Sequence, residues 1–136
     1  MRRDPFTVAL RIGLGIGLAI DLYVGVIALF APQLIEPMMD VPVHDPAFAQ
    51  LAGGEFVVAA LVYAVAFRDP QRFRVLLWLC ALDQVFAVVM PALAIAHGAI
   101  PSTLKTVAPI PFQAGLALLF AFAATRGSAA ADGKPA

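Results

Sequence analysis

Three carboxylic acids and two amides sit near the middle of segments that are otherwise hydrocarbon: Asp21, Glu55, Asp83 with its neighbour Gln84, and Gln113. An unpaired carboxylate in a bilayer core costs at least about 2.5–3.5 kcal/mol. Groups placed there at such cost are candidates for handling a proton. They could equally hydrogen-bond the polar head of a lipophilic molecule, or serve as an acid and base pair on a lipid-like substrate. The competing reading is structural. Neutral acids and amides can hydrogen-bond across helices, at about 0.6 kcal/mol per contact.

The elements that must position these groups follow from the apolar runs. The chain has 136 residues, of which 62% are hydrophobic and 13% charged, against roughly 45–50% and about 25% in a soluble domain. A fold this small leaves much of its surface exposed, so it cannot hide that excess from water. The solvent is therefore a membrane. Spans are expected over residues 7–31, 47–67, 73–97 and 104–125, punctuated by Pro32, Pro46, Pro70, Gly98, Pro101 and Arg126-Gly127. Each is long enough to cross about 30 Å of hydrocarbon as a helix. The runs are continuous rather than alternating, which excludes a β-barrel. The expected fold is all-α: a four-helix transmembrane bundle, antiparallel and up-down, in one domain over residues 1–126. The small polar tail 127–136 is expected to be disordered. The first run is too long for a signal peptide and is broken by Asp21, so it is read as a retained helix.

Charge sets the expected orientation. Arg2, Arg3, Arg11, Arg68, Arg72, Arg74, Arg126 and Lys134 fall on one side, and Lys105 alone on the other. The positive-inside rule then puts both termini in the cytoplasm. With zero formal net charge, no global field recruits nucleic acid.

Depth and face bring the polar groups together. Counted from the extracytoplasmic end of its own helix, each lies roughly 12–21 Å deep. Gly13, Gly17, Asp21 and Gly25 recur every fourth residue, making a stripe on which another helix can pack closely. Glu55 shares a face with Ala52, Ala59 and Tyr63. Asp83 shares one with Leu79, Cys80, Phe86, Ala87 and Met90. Gln113 shares one with Pro109, Leu116, Ala117 and Phe120. Arg11 is about 15 Å from Asp21 along the helix and is expected to reach for the interface instead.

Other features bound the chemistry. The single cysteine, Cys80, permits no intrachain disulfide and reads as an inert core thiol. His44 and His97 have no helical spacing for haem, and no metal site is expected. Pro91 frees the carbonyl of Ala87, and Pro109 and Pro111 loosen the start of the fourth span. The connection 32–46 is apolar and acidic by turns; it is expected to lie on the headgroups or to cover an outward-opening cavity. Phe6, Phe67, Phe73 and Trp78 read as interfacial anchors.

Gly53-Gly54-Glu55 early in the second span, and the tight turn Phe67-Arg68-Asp69-Pro70-Gln71-Arg72-Phe73-Arg74 into the third, give a layout over residues 7–125 that resembles the DoxX-like small bacterial membrane proteins. The resemblance implies a multi-pass protein of the bacterial inner membrane. It matches Glu55 to the acidic position of the second helix, and it implies an accessory or oxidoreductase-linked subunit. Such a protein would hold a small lipophilic molecule such as a quinone, beside a membrane partner subunit or a second copy. The residues alone leave two alternatives open: a proton-coupled small-solute transporter using Glu55 or Asp83, and a sterol-type isomerase using paired carboxyls.

Overall fold

The computed structural model of the chain describes residues 4–131, with side chains through residue 126. Four long helices, α1 (Pro5–Phe30), α3 (Pro46–Arg68), α4 (Arg74–Ala96) and α6 (Pro109–Ala131), are joined by shorter pieces. A 3₁₀ turn (Pro32–Leu34) and α2 (Ile35–Met39) fill the first connection, and α5 (Leu104–Val107) precedes α6. Among the described residues there is no strand. Pro5–Phe30, Pro46–Arg68, Arg74–Ala96 and Leu104–Arg126 are each long and apolar enough to cross a membrane.

Local chemistry sets the boundaries. Proline in the first turn starts α1 and α3, where its missing N–H costs nothing. The Asp45 carboxyl caps α3 by accepting from the Ala47 N–H at 2.9 Å. α1 stops at Phe30, and Pro32 disfavours helical backbone at Ala31. The fourth span departs from the expected single helix. It breaks at Ala108, because Pro109 and Pro111 cannot donate the bonds that would fuse α5 to α6. Thr103 and Thr106 hold the start of α5 by a reciprocal capping box. Pro91 stays within α4.

The tail also differs from expectation. Helix continues past Gly127 to Ala131, carried by the strong helix formers Ala129, Ala130 and Ala131. The remainder of the expected disordered tail, 132–136, lies outside the described residues, as do Arg2, Arg3 and Lys134 of the orientation argument.

The long helices form two tight pairs, α1 on α3 and α4 on α6, with sparser contact between the pairs. Glycine makes the first pair possible. A Cβ on Gly53 would stand 2.8 Å from the Leu29 nitrogen and 2.9 Å from the Gly25 carbonyl oxygen. A Cβ on Gly17 would stand 2.5 Å from the Tyr63 ring. Gln50 adds a polar tie, donating to the Leu29 carbonyl at 3.2 Å.

The pairs meet tightly at one end only. Leu10, Leu14, Tyr63, Ala66, Leu77 and Phe120 are among the buried core residues there, with Cys80 as the expected inert thiol. Phe6, read from the sequence as an interfacial anchor, makes contacts within the bundle. It packs edge-on against Phe122 at 5.6 Å, and the Arg126 guanidinium covers both rings at 4.7 and 4.5 Å. That clamps the start of α1 to the end of α6 by cation–π attraction.

Two neighbouring glycines give a paired test. Gly53→Ala forces a methyl group into backbone and is expected to cost about 1–3 kcal/mol. Gly54 has nothing within 4 Å of a built Cβ, so Gly54→Ala is expected to leave stability unchanged or slightly higher. Thermal unfolding of both variants in the same detergent checks the close approach of α1 and α3.

Candidate functional site

Away from the packed end the two pairs part around a cavity of about 740 Å³. Each long helix contributes a polar residue to its wall: Asp21 from α1, Glu55 from α3, Asp83 from α4 and Gln113 from α6. Four of the five sequence candidates thus share one space. The fifth, Gln84, is buried in the protein behind Asp83 and is absent from the wall. The rest of the wall is largely apolar, including Phe56, Phe86, Phe112 and Met90.

The four wall groups stand differently. Asp21 is only 4% exposed, and its Oδ2 has no hydrogen-bond partner among the described residues. The glycine stripe turns it inward, since Gly17 and Gly25 on the same face are buried too. Glu55 is exposed, open to the cavity, and makes no hydrogen bond with any described residue. Gln113 is half-buried and likewise makes none. Asp83 is held. Its Oδ2 accepts from the Tyr63 hydroxyl at 2.9 Å and from Gln84 Nε2 at 3.2 Å.

Tyr63 is the hub of that network, and the sequence reading had placed it only as a packing residue. It is 1% exposed. Its hydroxyl accepts from Gln84 Nε2 at 2.8 Å and shares its own proton between Asp83 and the Cys80 carbonyl, the latter at 3.2 Å. Its ring stacks edge-wise on Phe120 at 5.8 Å and occupies the hollow left by Gly17. Gln84 Oε1 remains unpartnered among the described residues. Tyr63 and Gln84 therefore hold Asp83 from the core side, off the cavity wall.

The opposite end of the cavity is covered. Met39 and Val41 from the first connection and Ile100 from the third reach the wall. A polar latch joins these two connections. Lys105 Nζ donates to the Asp40 carboxylate at 3.0 Å and to the Pro37 carbonyl at 2.9 Å, while the Thr103 hydroxyl donates to Asp40 Oδ2 at 2.8 Å. Asp40 adopts a left-handed backbone, φ 55°, which ends α2 and turns its carboxylate toward Lys105. The Thr103 hydrogen bond, and then Lys105, hold the Asp40 carboxyl below the usual aspartate range. The first connection is therefore a short folded cover at one end of the cavity. From the sequence, Lys105 counts only as a charge for orientation, and Asp40 is not singled out.

His44 and His97 are exposed and off the wall. Among the described residues no three His, Cys, Asp or Glu side chains converge in a way that could hold a metal ion. Pro91 and Ala87 both line the cavity, as does Pro109 at the break between α5 and α6.

Comparison with known proteins adds no relative: no protein family, no curated protein and no solved structure matches the chain. The geometry alone carries the functional argument.

Two predictions test the network and the latch. Tyr63→Phe keeps the ring but leaves Asp83 and Gln84 without their hydroxyl, and is expected to cost about 1–3 kcal/mol of stability in detergent. Wild-type stability in that variant would show that the hydroxyl bonds contribute nothing. Asp40 should titrate below the ordinary value of about 3.9 when its carboxyl carbon is followed by NMR. A lowered folded value means that the latch contributes stability above that ordinary value and loses it as pH falls through the folded one. Thr103→Val should move the midpoint upward.

Proposed function

We propose that the protein binds a small lipophilic molecule inside the membrane, with its polar head on the acid and amide layer and its body along the apolar wall. The observation that carries this reading is the convergence of Asp21, Glu55, Asp83 and Gln113, from four separate helices, on one cavity of about 740 Å³. That volume lies in the range of small-molecule sites, about 300–1,000 Å³, and a mostly apolar wall with a few polar groups is their usual lining. A bundle held together only by polar contacts would pair these groups with one another, yet Asp21, Glu55 and Gln113 make no hydrogen bonds to described residues.

The setting we propose is the bacterial inner membrane, with both termini cytoplasmic and the latched cover facing outward, as basic-residue bias and the DoxX-like layout suggest. In that setting the chain acts as an accessory or oxidoreductase-linked subunit. A reduced quinone, which brings two hydroxyl donors, is one head that the wall would accept. Proton-coupled transport is the second reading. Glu55 favours it, being open to the cavity and free of hydrogen bonds, whereas Asp83 is tied to Tyr63 and Gln84.

Filling the cavity separates ligand binding from a structural role. Ala87→Trp is expected to fold and to lose any small molecule that co-purifies with the wild-type chain, read by mass spectrometry of the solvent extract. Retention of that molecule at wild-type occupancy would refute the cavity as its site. Orientation is checked by thiol labelling of intact cells in a Cys80→Ala background: Ser102→Cys should label from outside and Ser128→Cys should not. For the transport reading, Glu55→Gln should fold yet stop proton flux in liposomes, because an amide cannot titrate.

A further inference from the structure

We infer that the head group recognised in this cavity is an organic ammonium, so that the ligand is a lipophilic cation; this rests on the cavity being a binding site. The wall has acceptors in excess. Of its three carboxyls only Asp83 has a partner, and Asp21 is 4% exposed with Oδ2 unpartnered among the described residues. The donors nearby are already engaged, except the Gln113 amide. The Thr106 hydroxyl donates to the Pro101 carbonyl at 2.8 Å, and the Tyr63 hydroxyl gives its proton to Asp83 or Cys80. The one cation on the wall, Lys105, is held at the mouth by Asp40 and the Pro37 carbonyl.

Four head chemistries can be weighed against that wall. A hydroxyl head, as in a reduced quinone, brings donors but no charge to compensate a carboxylate. An anion is repelled by the carboxyls. A carbonyl head, as in an oxidised quinone, brings more acceptors to a site whose one unengaged donor group is the Gln113 amide. An ammonium brings N–H donors together with the charge that a carboxylate at this depth requires for compensation. A metal ion brings charge too, but needs ligands closing to about 2.0–2.6 Å, and no three His, Cys, Asp or Glu side chains among the described residues are placed to hold one. Carboxyls spread over three helices around one wall suit a bulkier, diffuse cation. Phe56, Phe86 and Phe112 add aromatic surface to the same wall, and ring faces attract cations.

The test uses the full chain in nanodiscs of phosphatidylcholine and phosphatidylglycerol, which hold no primary amine, with empty nanodiscs as the reference. The probes are 3-(2-naphthyl)propylammonium and its neutral counterpart 3-(2-naphthyl)propanol. The ammonium is expected to bind at least about tenfold more tightly than the alcohol, a difference of about 1.4 kcal/mol. Asp21→Asn and Glu55→Gln should each erase most of that preference, and Ala87→Trp should abolish binding of both probes. Adding phosphatidylethanolamine tells the natural source: displacement of the ammonium points to a lipid head group, and no displacement to a free amine. Equal affinity for the two probes overturns the cationic head and leaves the cavity standing. So does an unchanged preference in both acid variants. Binding of either probe that survives Ala87→Trp undiminished overturns the cavity reading itself.

Discussion

A carboxyl group cannot face lipid without a partner, and three of the four spans carry one near mid-depth. That constraint fixes how each helix is rotated. α1 can bury Asp21 only if the face bearing it approaches its neighbours closely, and glycine every fourth residue permits this. Gly25 and Gly53 bring the backbones of α1 and α3 together, and Gly17 leaves the hollow that Tyr63 fills. Tyr63, so placed, reaches Asp83 and Gln84 on α4. The inward turn of one acid is thus linked through a glycine and a tyrosine to the fixing of another.

What results is an asymmetric bundle. At the packed end, Leu14, Leu77 and Phe120 close the space between the pairs, and the Phe6–Phe122–Arg126 cluster ties α1 to α6. At the other end the pairs diverge, proline separates α5 from α6, and the gap is covered by connections latched through Asp40 and Lys105. A cavity bordered by polar groups, with one of them held by a buried tyrosine, and covered by a charged latch has the parts of a binding site: a wall, a fixed polar group and a cover.

Much of this was legible in the sequence. The spans could be read because each apolar run matches the bilayer thickness and ends at Pro, Gly or Arg. The shared depth of Asp21, Glu55, Asp83 and Gln113 could be read by counting along antiparallel helices. Other features could not. Asp83 and Gln84 were taken together, but neighbours on a helix point about 100° apart, so only Asp83 reaches the cavity while Gln84 turns to the core. Tyr63 lies toward the Arg68 end of its span, where tyrosine ordinarily reads as an interfacial residue; its role needs the hollow at Gly17, a tertiary fact. The latch joins residues 65 apart in the chain, and no local pattern announces that pair. Helix to Ala131 was missed because Gly127 and Ser128 read as a stop, while the alanines beyond them sustain the helix.

Carboxyls from three different spans face one shared cavity rather than lipid. Solid-state NMR with magnetisation transferred from lipid acyl protons to ¹³C-labelled carboxyls measures this directly, with the exposed side chains of Phe30 and Val75 as lipid-facing references. The account predicts rapid transfer to those two references. It also predicts slow transfer to Asp21, Glu55 and Asp83, all three of which should instead build up signal from water or ligand protons. Transfer from lipid to any two of these carboxyls as fast as to Phe30 would contradict it.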